Sequence, residues 1–393
     1  MNILYITNLN YLNKAGLYNA TINRALKLNN NNDIHIEVVN LTFKDSFIKR
    51  LLRKVLSKKD IEYPEFNYEQ NLKIKNVYAT RGIINTIVPR LFYKKSEEYY
   101  INYLKENFSK DSFDIIHAHW VYPHGFIAKR ISDDFEIPYV VTAHGTDINK
   151  LNNCELDIKV KTITTLNNAN RVFFVSNALR EKAEEFGYKN NNSFICYNGV
   201  DLSTINSFYG NVSYGEKLNK RVGFIGNLEE VKGVEYLIKI FKEIDNINKC
   251  DYYVIGDGSR RSELEVEAKG YDLNVNFLGK LLFKDVIKYL YSFDVLVLPS
   301  KNEGFPCVLI EANACGVYTI ASDVGGVREA IGKVGSVIEL NNEFIENVAK
   351  EINNILEDGY DKEKLKMYAN EFDWDKIARN ELKQYKEILD NYN

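Results

Sequence analysis

Short apolar runs rich in β-branched residues alternate with segments of helical periodicity along almost the whole 393-residue chain. Such alternation is typical of βαβ units, in which crossover helices join parallel strands. In the first half of the chain the predicted strands lie near residues 2–7, 34–39, 113–117, 138–142, 171–175 and 193–197. A second series of predicted strands lies near residues 221–225, 252–255, 275–278, 294–298 and 318–321. The pattern predicts two α/β domains of similar size, each built on a doubly wound parallel sheet.

A polar stretch divides the two series of strands. Residues 203–219 contain Asn, Ser and Gly but little periodicity, which predicts a linker region. We expect a first domain over residues 1–200, a second over 201–375, and a terminal segment at 376–393. Ligands of doubly wound sheets bind at the carboxyl ends of the strands, so a cleft between two such domains is the expected active site.

Composition and charge limit the class of protein. Apolar residues make up 45% and charged residues 27% of the chain, as in soluble globular proteins. The formal net charge of −3 gives no support for nucleic-acid binding, and no apolar run approaches the roughly 18 residues that a membrane-spanning helix needs. The five cysteines show no CxxC spacing, and the N-terminal residues predict a buried strand instead of a signal peptide. We therefore expect free thiols and a cytoplasmic location.

The most informative local feature is a pair of glutamates, Glu303 and Glu311, that enclose a Gly-Phe-Pro turn. An apolar strand leads into this turn, and Pro306 suits the first turn of a helix because its missing N–H needs no partner there. Glu303 is then expected in the loop, and Glu311 inside the helix, roughly 7.5 Å beyond Pro306. The two carboxylates can hold different parts of one elongated ligand, with helix amides that favour anions between them. The alternative is a pair of solvated glutamates beside an ordinary turn.

Further loops after predicted strands contain glycine together with charged or polar residues. Gly226 and Gly233 permit close approach of the backbone to a ligand, and Lys232 adds a positive charge in front of a helix. This arrangement predicts a phosphate site, with a solvated lysine as the alternative. Gly256 begins a Gly-x-Gly turn that fits a ligand loop no better than a simple turn with Ser259 as the helix N-cap. A Gly-Gly pair after the last predicted strand is open to the same two interpretations.

Histidines follow two neighbouring predicted strands of the first domain. His144 comes after the strand at 138–142, where a side chain is expected to face the cleft. His117 and His119 fit structural histidines or, together with Trp120, a wall on the acceptor side. The HxH spacing is compatible with a metal site, but neither a third ligand at helical spacing nor a cysteine pair supports one, so we expect no metal.

A basic amphipathic helix is predicted over residues 44–59. Its apolar stripe includes Phe47 and Ile48, and its opposite stripe includes Lys49 and Arg50. In a chain with a net negative charge, such a helix favours contact with an anionic membrane surface. The alternative is an ordinary surface helix that buries its apolar stripe in its own domain.

With these residues in place, the chain resembles the retaining glycosyltransferases of the GT-B fold in glycosyltransferase family 4. The resemblance covers nearly the whole chain and is most specific from Gly223 to Glu329. It implies two Rossmann-like domains that face each other across a cleft, with a nucleotide-diphosphate sugar in the C-terminal one. It also implies that neither a metal nor another cofactor is needed. The last segment, which follows Trp374, resembles the family helix that crosses back to the first domain.

The resemblance also implies roles for individual residues. Glu311 would hold the ribose hydroxyls, while Glu303 and the amides of Gly304 and Phe305 would contact the transferred sugar. Lys232 would neutralise the diphosphate, and His144 would lie beside the donor sugar. The other residues expected on the donor side are Gly16, Gly226, Asn227, Gly256, Gly279 and Lys280.

Two positions depart from the family pattern. Asn227 stands where the family usually has Arg, so Lys232 would carry more of the diphosphate charge alone. The N-terminal loop of the family usually has paired glycines, whereas this chain supplies only Gly16, which affects the acceptor-side geometry.

The implied reaction moves a sugar from a nucleotide-diphosphate sugar to a saccharide or lipid-linked saccharide, as in the synthesis of cell-envelope polysaccharides. Because no carboxylate nucleophile is well placed, we expect retention by front-face attack assisted by the leaving phosphate, instead of a covalent intermediate. The basic helix at 44–59 would hold the enzyme at the inner face of the plasma membrane. Two alternatives are a sugar-nucleotide epimerase or hydrolase of the same fold, and a sugar-nucleotide binder without catalytic activity.

Overall fold

The computed structural model describes residues 1–11, 16–48, 50, 63–81, 89–210, 219–245, 247 and 249–392. These residues form two compact units. The first unit comprises Met1–Val175, Leu179–Cys196 and Ile377–Asn393, and the second comprises Ser176–Ala178 and Tyr197–Lys376. The chain passes from the first unit to the second between Cys196 and Tyr197, just before the domain boundary predicted at residue 200.

The described residues of the first unit form an eight-stranded sheet. Its strands are β1 (Asn2–Thr7), β2 (His35–Asp45), β3 (Phe66–Glu69), β4 (Leu72–Arg81), β5 (Ile115–His119), β6 (Tyr139–Ala143), β7 (Arg171–Phe174) and β8 (Ser193–Ile195). The strand order is β3-β4-β2-β1-β5-β6-β7-β8, and all neighbours are parallel except β3, which is antiparallel to β4. The α-helices described between β1 and β8 are α1 (Leu17–Asn29), α2 (Pro89–Asn107), α3 (Phe126–Phe135), α4 (Thr146–Asn149), α5 (Leu156–Asn168) and α6 (Asn177–Glu185).

The second unit contains a six-stranded parallel sheet. Its strands are β9 (Lys220–Ile225), β10 (Cys250–Ile255), β11 (Val275–Gly279), β12 (Val295–Leu298), β13 (Tyr318–Ser322) and β14 (Ser336–Ile338). The order is β11-β10-β9-β12-β13-β14. The helices that follow α6 are α7 (Leu202–Ser207), α8 (Val234–Asp245), α9 (Arg261–Gly270), α10 (Phe283–Ser292), α11 (Cys307–Ala314), α12 (Val327–Ile331), α13 (Phe344–Asp358), α14 (Lys362–Ala369) and α15 (Trp374–Tyr392). From Ile377 onward α15 belongs to the first unit.

The central strands are buried along their full length because helices cover both faces of a parallel sheet. Every residue of β12 is buried, and so is every residue of β5 and β6. This is why apolar runs identified β6 and β12 in the sequence.

Strands β3, β4 and β14 were not predicted, whereas the edge strands β8 and β11 were. In β4 buried positions are mixed with exposed and part-buried ones, several of them lysine or tyrosine, and β14 has only three residues. Strand β2 continues beside β4 as far as Asp45, so Lys44 and Asp45 are in a strand and the predicted helix at 44–59 is wrong at its start. Phe47 and Ile48 are helical and exposed, and most of the remaining segment lies outside the described residues.

The stretch predicted as a linker at 203–219 also differs. It begins inside α7, which Asp201 caps by accepting a hydrogen bond from the backbone N–H of Thr204 at 3.0 Å. The N-cap explains why a helix forms here without an obvious apolar repeat. Residues 211–218 lie outside the described residues.

Each sheet changes its winding direction once. In the second unit the chain goes from β9 outward to β10 and β11, and then returns to the other side of β9 with β12. In the first unit the equivalent point lies between β1 and β5. Loops diverge at the carboxyl ends of the two strands at such a switch point and leave a crevice for ligands.

Candidate active site

Lys232 and Glu303 meet at the switch point of the second unit. Lys232 follows β9 and Glu303 follows β12, and Lys232 Nζ lies 2.7 Å from Glu303 Oε1. Between Lys232 and α8, Gly233 has φ +63°, and a Cβ there would lie 1.7 Å from the carbonyl oxygen of Pro299. Only glycine lets the two loops approach this closely, so the fold brings the predicted cation and carboxylate together.

Glu303 is held by more than its ion pair. The hydroxyl of Ser300 donates to Glu303 Oε1 at 2.7 Å, and the hydroxyl of Ser322 donates to the carbonyl oxygen of Ser300. The Glu303 side chain is only 9% exposed. The carboxylate is therefore fixed in position before any ligand binds. Neither serine was singled out in the sequence, because a hydroxyl in a loop carries no distinctive pattern.

Glu311 has no such partners. It lies in α11, which begins at Cys307 with Pro306 as the N-cap residue. The side chain is half-buried, and no group among the described residues forms a hydrogen bond or ion pair with its carboxylate. Burial raises the pKa of Glu311 to about 7. A carboxyl group that is desolvated and left without a partner is available to accept hydroxyl groups of a ligand.

The side chain of Phe305 packs against other aromatic rings of the protein and is not free to contact a ligand. Its ring stacks on Tyr197 with centroids 5.0 Å apart and contacts Phe372 at 5.5 Å. Behind this turn, a Cβ on Gly325 would lie 1.9 Å from the carbonyl oxygen of Glu303. The Gly-Gly pair after β13 therefore has a packing reason, and only the backbone amide of Phe305 is left for ligand contact.

Three predicted donor-side glycines form a ladder at the ends of adjacent strands. The N–H of Gly226 donates to Ile255 O at 3.0 Å, and the N–H of Gly256 donates to Gly279 O at 2.9 Å. A Cβ on Gly256 would lie 1.8 Å from Gly226 O. These hydrogen bonds hold the loops after β9, β10 and β11 side by side at one edge of the sheet.

The residues around this ladder are more exposed. Asn227 and Lys280 are both exposed at the ends of β9 and β11. The predicted N-cap role of Ser259 is wrong, because its N–H and hydroxyl donate to Glu229 at 2.9 and 2.6 Å, and α9 begins at Arg261. Long-range pairing with Glu229 outcompetes the local cap, which a linear pattern does not reveal.

In the first unit, His144 and His119 form a pair at the carboxyl ends of β6 and β5. His119 Nδ1 lies 3.1 Å from His144 Nε2, and the rings are nearly parallel with centroids 5.3 Å apart. Asp147 holds the backbone of this loop, since its carboxylate accepts hydrogen bonds from the N–H groups of His144, Gly145 and Val121. Burial raises the pKa of Asp147 to about 6, although these backbone hydrogen bonds lower it.

His117 has both ring nitrogens occupied within the core. Its Nδ1 lies 2.6 Å from the hydroxyl of Tyr385, and its Nε2 lies 2.7 Å from the hydroxyl of Thr142. His117 and His119 are both fully buried. This is the arrangement of structural histidines, and it leaves neither ring surface for an acceptor. Because both nitrogens of His117 have protein partners, the HxH pair is not arranged as a metal site.

The remaining first-unit predictions concern Trp120 and Gly16. Trp120 has φ +84°, stacks on His124, and buries an indole N–H that has no partner among the described residues. Gly16 is exposed, has φ +54° and immediately precedes α1, while residues 12–15 lie outside the described residues. Positive φ explains why glycine is required at the start of this helix.

The described part of the chain contains neither a metal-binding cluster nor a membrane-spanning helix. No group of three or more His, Cys, Asp or Glu side chains there could hold a metal ion. None of its helices is both long enough and apolar enough to cross a membrane.

Two doubly wound sheets, each with polar side chains at its switch point, define a two-domain α/β enzyme of the GT-B type. Residues 214–372 match the family model for group 1 glycosyl transferases, and residues 63–204 match the model for glycosyltransferase family 4. A glycosyltransferase of Methanocaldococcus jannaschii, MJ1178, is 30% identical over 358 residues, which are 88% of this chain and 93% of the relative. The chain belongs to the group 1 glycosyltransferases of glycosyltransferase family 4.

Other relatives and solved structures agree with this assignment. TuaC of Bacillus subtilis, named for teichuronic acid biosynthesis, is 30% identical over 72% of this chain and 71% of its own length. Sucrose-phosphate synthase of Thermosynechococcus elongatus superposes with a TM-score of 0.76 at 17% identity over 99% of both chains. Anabaena HepE, solved with UDP-glucose, superposes with a TM-score of 0.70 at 20% identity over the full length of both chains. The GT-B fold predicted from the sequence is confirmed.

Proposed function

We propose that this glycosyltransferase uses a nucleotide-diphosphate sugar as donor and retains the anomeric configuration. The observation that carries the proposal is the Lys232–Glu303 pair at the switch point of the second unit, with the unpartnered Glu311 on the helix that follows. HepE, which shares the fold, was solved with UDP-glucose. The three side chains supply what such a donor needs, namely a cation for the diphosphate and two acceptors for hydroxyl groups.

The side chains act on different parts of the donor. Ionised Glu311 accepts hydrogen bonds from the two ribose hydroxyls, and Glu303 with the amides of Gly304 and Phe305 holds the transferred sugar. Lys232 and the N-terminal amides of α11 stabilise the diphosphate as its charge grows. On donor binding, Lys232 exchanges part of its contact with Glu303 for the phosphate oxygens.

The proposed step keeps its bonds on one face of the sugar. The bond between the anomeric carbon and the phosphate oxygen breaks, and its electron pair leaves with the diphosphate. The acceptor hydroxyl attacks the same face, forms the new glycosidic bond, and passes its proton to the departing phosphate oxygen. Positive charge comes from Lys232 and backbone amides, so we propose that transfer needs no metal and that an excess of EDTA leaves the rate unchanged.

We propose a saccharide or lipid-linked saccharide as the acceptor, within cell-envelope polysaccharide synthesis. TuaC, the relative named for teichuronic acid biosynthesis, supports this class of acceptor. The exposed Phe47 and Ile48, at 79% and 60%, favour contact of this region with an anionic membrane surface. A variant with Lys49, Arg50, Arg53 and Lys54 changed to Gln should then lose co-sedimentation with anionic vesicles. Equal sedimentation of both proteins would contradict the membrane contact.

A donor screen followed by product analysis tests the proposed function. Melting temperatures are compared with UDP-, GDP- and ADP-sugars, since a ligand at 100 times its dissociation constant adds about 2.7 kcal/mol. The stabilising donor is then incubated with and without saccharide acceptors. Transfer that requires an acceptor supports the proposal. Epimerised or hydrolysed donor without acceptor would indicate an epimerase or hydrolase, and stabilisation without turnover would indicate a binding protein.

A further inference from the structure

The contact between His119 and His144 bears on which ring nitrogen of His144 carries its proton. His119 is the last residue of β5, and His144 follows the neighbouring strand β6, so parallel pairing brings both rings to the same edge of the sheet. The two nitrogens that face each other, His119 Nδ1 and His144 Nε2, are 3.1 Å apart. At this distance one nitrogen donates a proton and the other accepts it.

Both rings are neutral at physiological pH. Burial, followed by nearby positive charge, lowers the pKa of His119 and of His144 well below the usual value for histidine. The ionisable groups that act on the pair are His117, His124, Arg24 and Glu381. Each neutral ring carries one proton, so the pair has two possible arrangements.

The two arrangements differ in what they leave buried. His119 Nε2 is buried and has no hydrogen-bond partner among the described residues. If His144 donated, His119 would carry its proton on Nε2, and a buried N–H would lack an acceptor. If His119 donates from Nδ1, only a lone pair on Nε2 is left without a partner. Buried N–H groups without a partner are the rarer and costlier case.

We propose that His119 is a positioning residue that donates from Nδ1 to His144 Nε2 and thereby fixes the proton of His144 on Nδ1. Neutral histidine in water favours the opposite tautomer, with the proton on Nε2. His144 is part-buried, and its Nδ1 has no partner among the described residues. The fixed Nδ1–H is a hydrogen-bond donor for an oxygen of a substrate bound at this end of the sheet, which rests on the proposed function.

Substitutions that imitate one ring nitrogen at a time separate this role from simple packing. His119→Asn places an amide N–H near the position of Nδ1 and should preserve donation to His144. His119→Gln places its amide near Nε2 and should not, and His119→Leu provides no donor. We expect kcat of the Asn variant to stay within about threefold of wild type, and kcat of the Gln and Leu variants to fall at least about tenfold, as for one lost hydrogen bond. Equal losses in all three variants would overturn the proposal.

Nitrogen NMR measures the tautomer directly and does not depend on turnover. The chain has five histidines, so protein labelled with 15N only in histidine gives a small set of ring signals. His144→Asn identifies the signals of His144 by their loss. We expect a protonated Nδ1 and an unprotonated Nε2 in wild type and in His119→Asn, and the reverse or a mixture in His119→Leu. A wild-type His144 with its proton on Nε2 would overturn the proposal whatever the activity, whereas absence of donor turnover with the expected tautomer would contradict only the proposed function.

Discussion

At the scale of single residues, the fold raises the pKa of the Glu311 carboxyl group. Burial raises its pKa to about 7 from an ordinary value of 4.5, and the Glu311 carboxylate adds to the burial that raises the pKa of the Cys315 thiol. The unfolded chain releases this proton above pH 4.5, but the folded protein holds it until about pH 7. Folding stability from this group is therefore full below pH 4.5 and is lost as the pH rises towards 7.

Replacement of Glu311 by Gln should stabilise the ligand-free protein at high pH. We expect similar melting temperatures for Glu311→Gln and wild type at about pH 5, and a higher value for the variant at about pH 8, because the variant has no buried charge to form. Calorimetry at both pH values measures the difference. A constant difference at both pH values would contradict the raised pKa.

The same substitution should weaken donor binding. In the proposed donor site the ionised carboxylate accepts ribose hydroxyls. Wild-type affinity should then rise with pH through about 7, and the Gln variant should bind at least about tenfold more weakly without this dependence. Titration calorimetry with the donor found by screening gives both affinities. A variant affinity equal to that of wild type above this pH would remove Glu311 from the donor site.

Lys232 should matter more for the rate than for folding, because its side chain is partly exposed and its proposed role is to stabilise the diphosphate as it leaves. We expect Lys232→Ala to lower kcat by about 10² to 10³, comparable to the loss of one preorganised electrostatic contact. The measurement is turnover of saturating donor and acceptor. A loss of only a few-fold would contradict the assigned role.

A positive charge introduced at Asn227 tests whether another cation can replace that of Lys232. The position is exposed at the end of β9, so Asn227→Arg should not disturb folding. If the site lacks one diphosphate cation, Asn227→Arg should restore part of the rate lost in Lys232→Ala. A rate of the double variant equal to that of Lys232→Ala would show that position 227 does not reach the phosphates.

At the scale of elements, the glycine ladder holds the loops after β9, β10 and β11 side by side at one edge of the sheet. Gly256→Ala should lower the free energy of unfolding by more than about 2 kcal/mol, because φ +138° and a contact of 1.8 Å with Gly226 O both exclude a Cβ. Urea unfolding measures the change. At Gly270, at the end of α9, a Cβ would meet no described atom within 4 Å beyond its own helix, so Gly270→Ala should be neutral or stabilise by up to about 1 kcal/mol.

At the scale of the whole chain, a buried ion pair joins the first helix of the first unit to the last. Arg24 Nη1 lies 2.6 Å from Glu381 Oε2, and both side chains are fully buried. The hydroxyl of Tyr5 donates to Glu381 at 2.9 Å, and Arg24 also contacts Cys196. Although burial alone would raise it, Arg24 and His117 hold the pKa of Glu381 well below its usual value. The C-terminal helix thus completes a polar cluster that the N-terminal strand and helix begin.

Loss of one partner of this pair should destabilise the first unit strongly. We expect Glu381→Gln to cost about 3–5 kcal/mol, because it leaves Arg24 as an uncompensated buried charge. The Arg24→Met, Glu381→Leu double variant should recover much of that loss, since neither buried charge remains. Urea unfolding followed by fluorescence compares the three proteins. A double variant less stable than Glu381→Gln would contradict this account.

The sequence determined the features that depend on neighbouring residues. Buried strands such as β1 and β12 read as apolar runs because both faces of a parallel sheet are covered. The Glu303–Glu311 spacing and the loop of Lys232 were recognisable because they follow such strands directly. The GT-B fold and the family were within reach of the sequence for the same reason.

Only the tertiary structure decided which distant residues meet. Local pattern did not identify β4, since its buried residues are mixed with exposed ones, or the pairing of Ser259 with Glu229. It gave no sign that Ser300 holds Glu303, that His119 faces His144, or that Glu381 reaches Arg24. These contacts depend on strand order and on helices far apart in the chain, and a linear pattern records which residues are buried but not which partners burial gives them.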